Sequence, residues 1–221
     1  DAPRALIAAG RHAAVPAIVG ATSAENGRSA PRIATEAEYE AAVRAYARLS
    51  GLPAVVAERA LAVYPAAGYP SPRDAYVALT SDVKFVCQAR TDARLLAAGA
   101  GGPVYRYLFD HVADNAGAQA RAAGAAHGLE LPFLFGVLEF GVGVLRYRPG
   151  PGDVAVSAAM QGYWARFAAI GDPNGEAAAP WPRYRIEDDP YLVLASEPRA
   201  AAGLRSAQCD FWDGLAAGAT P

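Results

Sequence analysis

Three histidines come first, because imidazole is the side chain whose ordinary titration falls nearest neutrality. The chain holds His12, His111 and His127. His12 lies in Ala9-Gly10-Arg11-His12, a turn ahead of an apolar run. His111 closes Phe109-Asp110-His111, just past an aromatic run. Both read as ordinary surface or core histidines. His127 stands apart. It follows a small-residue stretch, is followed at once by Gly128, and opens the apolar segment Leu129 to Phe133. A loop past the C-terminal end of a strand is where open α/β sheets carry functional groups. Glu25 is placed in the same way, a few residues beyond the apolar run Val15 to Gly20. If the two preceding strands share one parallel sheet, Glu25 and His127 emerge at the same edge. A carboxylate there can fix the imidazole tautomer and stabilise the imidazolium. The pair is then an orienting acid and a general base.

That set lacks a nucleophile. No Gly-x-Ser-x-Gly occurs in the chain, and none of its serines has the glycine-flanked elbow. In α/β-hydrolases the chain order is Ser, then Asp or Glu, then His. Acid before histidine is the tail of that order, so the serine is expected upstream of Asp1. Gly101-Gly102, followed by proline, reads as a turn and not as an oxyanion loop.

The two cysteines, Cys87 and Cys209, are 122 positions apart. Two buried thiols and a disulfide are both open on this arithmetic. A bridge closing so long a loop stabilises by roughly 4–5 kcal/mol in the chain-entropy model. Neither C-x-x-C nor a Cys/His cluster is present, so no metal site is expected. Lys84 is the only lysine. With alanine and arginine abundant, it reads as compositional bias, and no chemistry is assigned to it.

The elements that must position these groups follow from periodicity. Val15–Gly20 is a continuous β-branched run ended by glycine, suited to a strand buried on both faces, with Pro16 at its start. A polar loop runs from Ala21 to Arg32. Thr35-Glu36-Ala37-Glu38 has the form of a capping box, and Tyr39, Val43 and Tyr46 continue at helical spacing, predicting a helix over 36–49. A second helix covers 53–63 and stops at Tyr64-Pro65. Ser81-Asp82 offers a cap for a third, running through Cys87 and Arg90 to the glycines at 99, 101 and 102. Val104–Phe109 reads as a second strand, and 113–126 as a small-residue loop delivering His127. Val156, Met160, Trp164 and Phe167 share one face of a helix over 153–170, stopped by Gly171-Asp172-Pro173-Asn174-Gly175. A short strand at 191–194 and a terminal helix at 204–215 complete the pattern. Strand, helices, strand, helices fits the back portion of an α/β sheet.

Composition narrows the functional classes. Of 221 residues, 53 % are hydrophobic and 19 % charged, with a net charge of −2. A nucleic-acid binder driven by a basic field is excluded, and so is a disordered acidic tail. No run approaches the roughly 18 apolar residues of a membrane helix, so no membrane span is expected. Asp1-Ala2-Pro3-Arg4 is neither a methionine start nor a signal peptide, and reads as an exposed loop and nick site.

In these segments the chain resembles the C-terminal part of type-B carboxylesterases, the cholinesterase/lipase family of α/β-hydrolases. Val15–Gly20 followed by Thr22-Ser23-Ala24-Glu25 is similar to the segment bearing the family's catalytic glutamate. Ser81 to Arg90 looks like the helix ahead of its Tyr-Arg-Tyr-like strand. His127-Gly128-Leu129-Glu130 with Phe133 to Gly136 resembles the catalytic histidine segment. Trp164 to Ala168, Gly171 to Asn174, Trp181 to Tyr184 and Cys209 to Asp213 resemble the late helix, turn and terminal helix. Where the family often has Asp-Glu-Gly, this chain has Ala24-Glu25-Asn26-Gly27.

The resemblance implies an α/β fold, a mixed and mostly parallel sheet with flanking helices, with residues 1–221 the C-terminal portion of one domain. It implies Glu25 as triad acid, His127 as triad base and a Cys87–Cys209 disulfide. It further implies a secreted or periplasmic location and no cofactor or metal. The expected partners are the N-terminal half of the same enzyme, carrying the nucleophilic serine and oxyanion hole, and a small-molecule ester. No nucleic-acid partner is expected, and the chain alone should be inactive. Either a cleaved, two-chain enzyme or one portion of an intact enzyme is consistent with this. The competing reading is a non-catalytic, cholinesterase-like binding or adhesion module.

Overall fold

The apolar runs that read as strands pair in a single sheet. The computed structural model describes residues 3–99, 101–139, 147–176, 178–216 and 218. Strands β1 (Ala17–Thr22), β2 (Val104–Phe109), β3 (Pro190–Leu194) and β4 (Arg199–Ala202) lie in the order β1-β2-β3-β4. The first three are parallel, with Ala17 opposite Val104 and Tyr107 opposite Leu192; β4 is antiparallel to β3. This mixed, mostly parallel sheet with flanking helices is the α/β architecture expected. Among the described residues β1 pairs only with β2, so its other edge carries no strand.

The first strand begins two residues later than expected and runs on through Thr22. Pro16 has no N–H to give a ladder, so pairing starts with the Ala17 amide, which donates to Pro103 O at 2.9 Å. β4 was not anticipated at all. Arg-Ala-Ala-Ala has no β-branched or aromatic residue, and the segment is a strand because β3 offers it an edge.

Helices cover both faces. Alternation along β2 divides the core. Tyr105 and Phe109 face a cluster with Val156, Met160 and Tyr163 of a long helix over Pro151–Ile170, together with Trp181. Val104 and Leu108 face the opposite side, where Ala93, Leu96 and Val86 pack. The helices, in chain order, are α1 (Pro3–Ala8), α2 (Glu36–Leu49), α3 (Ala54–Val63), α4 (Pro72–Ser81), α5 (Cys87–Ala98), α6 (Ala118–Ala123), α7 (Leu131–Leu134), α8 (Pro151–Ile170) and α9 (Ser206–Ala216). The Thr35 hydroxyl accepts from the Glu38 amide and Glu38 returns to the Thr35 amide, so the anticipated capping box starts α2.

Three local expectations are corrected. Ser81-Asp82 does not cap a helix. Ser71 caps α4, with Pro72 behind it, and the path runs on through a π-helical turn, Asp82–Val86, into α5. Ser81 already has helical φ and ψ of −70° and −42°. Second, the 113–126 loop contains α6, built from good helix-forming residues. Third, Pro3 and Arg4 open α1, where Arg4 pairs with Asp92 at 2.6 Å; Asp1 and Ala2 lie outside the described residues.

A third packed cluster joins α2, α3, α4, α5 and α9 around Tyr39, Val43, Val56, Leu79 and Trp212. Within it Cys87 and Cys209 form a disulfide with a Cα–Cα distance of 5.0 Å, tying the start of α5 to α9. Nearby, Trp212 Nε1 donates to Tyr64 Oη at 2.9 Å, and Tyr64 Oη donates to Asp82 Oδ2 at 3.0 Å. Asp82 is 1 % exposed. Burial pushes its carboxyl up to about 6, despite Arg205 at 3.6 Å, whose charge acts in the opposite direction.

This raised value sets a pH dependence. The unfolded carboxyl sits near 3.8, so the folded state binds the extra proton between there and about 6. Asp82 therefore supports stability fully at pH below 4, and that support is lost as pH rises through 6, by roughly 3 kcal/mol. Denaturant unfolding across pH 4–7.5 should show the wild type losing this increment relative to Asp82→Asn. Parallel stability curves for the two proteins would contradict it.

Candidate functional site

The parallel pairing of β1 with β2 meets the condition left open by the sequence and brings the loops after both strands to one edge of the sheet. There the chain folds back on itself tightly. The Ala24 amide donates to Ala125 O at 3.1 Å, and the His127 amide donates to Glu25 O at 3.1 Å. Gly27 passes so close to α6 that a Cβ would lie 1.8 Å from Ala123 O, so only glycine fits there. Gly124, at φ +68°, makes the left-handed turn that leads from α6 toward His127.

The side chains meet across these loops. His127 Nδ1 lies 2.6 Å from Glu25 Oε2, though the two residues are 102 positions apart. The other carboxylate oxygen, Glu25 Oε1, accepts from the Thr22 amide at 2.7 Å. Glu25 is buried, with a 5 % exposed side chain, while the His127 side chain is 68 % exposed. A buried, doubly held acid thus grips one nitrogen of an imidazole that is otherwise open. Such an arrangement can select a tautomer and stabilise a proton on the ring.

Three residues around the pair have no role in the sequence reading. Phe85 sits in the π-helical turn with its ring centroid 5.0 Å from that of His127, covering part of the imidazole. π-Turns often occur at functional sites because they re-aim side chains. Arg73, at the start of α4, donates to Gly27 O at 2.6 Å and to Ala122 O at 2.9 Å, clamping the acid loop to α6. Glu130 follows His127 by three residues. Burial, with the Glu25 charge adding to it, raises its carboxyl above the ordinary range. One Glu130 oxygen is buried without a hydrogen-bond partner among the described residues. A sequence cue existed only for Glu130, a carboxylate one helical turn after the histidine.

The remaining histidines lie elsewhere. His111 is buried, with Nε2 2.7 Å from Asp153 Oδ1. With Asp114 these residues bring three ligand atoms within 4.8 Å of one another. Their oxygens are engaged by donors: Asp153 accepts from the Gly150 and Asp114 amides and from Tyr147 Oη, and Asp114 accepts from the Gly152 amide. Burial works against the Asp153 charge, but these bonds outweigh it and hold its carboxyl below the ordinary range. The cluster caps α8. His12 belongs to the segment before β1, its ring against Gly99 and Gly101. Among the described residues no helix is long and apolar enough to cross a membrane.

Comparison with known proteins agrees with the geometry. The sequence profile of the Carboxylesterase family matches residues 1–212. Carboxylesterase 4A of Bos taurus is 40 % identical over 116 residues, covering 52 % of this chain and 20 % of that protein. Acetylcholinesterase of Gallus gallus is 35 % identical over 143 residues, covering 63 % of this chain and 18 % of that protein. Neuroligin-2 of Homo sapiens is 31 % identical over 156 residues, covering 63 % and 18 %. The chain spans about a fifth of the length of these relatives. With a match running over almost its whole length, and a mostly parallel sheet placing an acid beside a histidine, this chain belongs to the carboxylesterase family.

Proposed function

We propose that the chain forms the C-terminal portion of a single α/β-hydrolase domain and supplies the acid and base for hydrolysis of a carboxylic ester. The observation carrying this reading is the exposed His127 imidazole held at Nδ1 by buried Glu25. A serine from an N-terminal segment of the same enzyme attacks the ester carbonyl. His127 takes the serine proton and later gives it to the leaving alcohol, a contribution of about 10²–10⁴-fold. Glu25 holds the ring in the Nδ1–H tautomer and stabilises the imidazolium. Backbone amides of the N-terminal segment hold the oxyanion. The unpaired edge of β1 is consistent with a sheet that continues into that segment. The Cys87–Cys209 bridge supports a secreted or periplasmic location, since such bridges persist in oxidising compartments.

The test is labelling of the full-length protein with a fluorophosphonate, followed by peptide mapping. Capture of one serine in a Gly-x-Ser-x-Gly segment, aryl-ester turnover, and no turnover by residues 1–221 alone are expected. Turnover by the isolated chain, or a full-length protein that neither labels nor turns over, sinks the reading. The similarity to neuroligin-2 favours a second reading, a non-catalytic binding module. Glycine or alanine in the serine's place would establish it.

A further inference from the structure

Arg73 stands at the wrong end of its own helix. It lies in the first turn of α4, where the helix dipole favours an acid, and its neighbour Asp74 supplies one. The Arg73 side chain is half-buried, and among the described residues no carboxylate pairs with it. Its guanidinium is directed instead at two backbone carbonyls. Nη2 donates to Gly27 O at 2.6 Å and Nη1 to Ala122 O at 2.9 Å. Gly27 follows Glu25 in the acid loop, and Ala122 precedes His127 on the other side of Gly124. Ala122 belongs to the last turn of α6, whose final carbonyls have no partner within the helix and form its negative end. A cation is favoured there. With 6 residues, α6 is too short to hold its form unaided, so support at this end matters. From α6 the chain turns at Gly124, passes through Ala125, which accepts from the Ala24 amide, and reaches His127.

The acid loop is bonded to α4 at both ends of that helix. The Asn26 amide donates to Ser81 Oγ at 3.1 Å, and Gly27 O accepts from Arg73. Among the described residues, Arg73 is the one side chain outside the acid and histidine loops that bonds both segments. The bonds from the Ala24 and His127 amides and the Glu25–His127 contact all lie on one line between the loops. They set a separation and leave a hinge about that line. A third point beyond Gly27 removes the hinge, and a planar fork whose donors have fixed directions supplies it. We infer that Arg73 is a positioning residue for the hydrolysis, its fork across Gly27 O and Ala122 O setting the angle at which Glu25 presents the His127 imidazole. The catalytic consequence rests on the proposed esterase reading; the clamp itself rests on the two bonds. Lysine has one nitrogen and no fork, so it serves one carbonyl and leaves the other.

The experiment uses the full-length protein, an aryl butyrate, and the variants Arg73→Ala and Arg73→Lys. Arg73→Ala should lower kcat by about 10–10²-fold, the effect of misplacing a reacting group by about 1 Å, with KM changed by less than about twofold. Ethylguanidinium should restore much of the loss saturably, and ethylammonium should not. Arg73→Lys should keep the wild-type unfolding midpoint and still turn over about tenfold more slowly. A second readout needs no turnover. The downfield proton resonance of the His127–Glu25 bond, identified as the one that Glu25→Gln removes, should be lost or broadened in Arg73→Ala and return with ethylguanidinium. Wild-type kcat in either variant, or a resonance that Arg73→Ala leaves unchanged, overturns the positioning role. So does a loss of kcat that follows the unfolded fraction alone and that ethylguanidinium does not recover. A full-length protein without ester turnover, whose resonance still depends on Arg73, overturns the esterase reading and leaves the clamp standing.

Discussion

If the proposed esterase reading holds, His127→Ala in the full-length protein should lower kcat/KM for an aryl ester by about 10⁴-fold or more, with little change in KM, because a general base acts only as the transition state forms. The substitution is structurally mild, since the side chain is 68 % exposed and the loop is held by its own backbone bonds to Ala24 and Glu25. Glu25→Gln is the sharper probe. The amide oxygen can still accept from the Thr22 amide at the position Oε1 now holds. The amide NH₂ then faces His127 Nδ1, where it donates and forces the opposite tautomer. A base carrying its proton on the nitrogen that should receive one cannot function, and a loss of about 10³–10⁴-fold is expected with an unchanged unfolding midpoint. The two substitutions act on one unit, so the double variant should be little worse than His127→Ala. Rates within a few-fold of wild type for either single variant, measured with aryl butyrate on folded protein, would remove the pair from the mechanism.

Removing the disulfide has the largest expected effect on stability. Cys87→Ser with Cys209→Ser lowers unfolding free energy by about 4 kcal/mol, the loop-closure term for a bridge spanning 122 residues. Both sulfurs are fully buried in the cluster with Trp212, so the serine hydroxyls add a small desolvation cost. Helix α9 keeps other attachments. Arg90 pairs with Asp210 and donates to Ser206 O, and Thr91 bonds Asp213 at 3.0 Å. The variant should therefore still fold, with a lower denaturant midpoint. Adding dithiothreitol should lower the wild-type midpoint toward that of the variant and leave the variant unchanged. Identical midpoints with and without reductant would contradict a stabilising bridge. Cys87 directly follows the π-helical turn that carries Phe85, so reduction should also loosen the wall against His127.

The candidate site was legible where chemistry is encoded by local pattern. A β-branched run, a capping box, a glycine after a histidine and the order of acid and base are all short-range features. They sufficed to choose Glu25 and His127. They did not show Arg73 bridging Gly27 and Ala122, because an arginine on a helix is ordinary until two distant carbonyls converge on it. Nor did they show the π-helical turn. Ser81-Asp82 looks like a helix start, and only the packing of Asp82 against Tyr64 and Arg205 turns it inward within a continuous helical path.

By itself, then, the sequence determined helices α2, α3 and α8, the three apolar runs that become β1 to β3, and the residue types able to hold and move a proton. The tertiary structure decided the rest. It assigned the edge strand β4, whose alanines have no β preference of their own. It distinguished two histidines that each meet a carboxylate, burying His111 on Asp153 at the head of α8 and leaving His127 open on Glu25. The physical reason is range. Caps and periodicity act over a few residues, whereas burial and charge pairing depend on contacts between segments that only sheet register brings together.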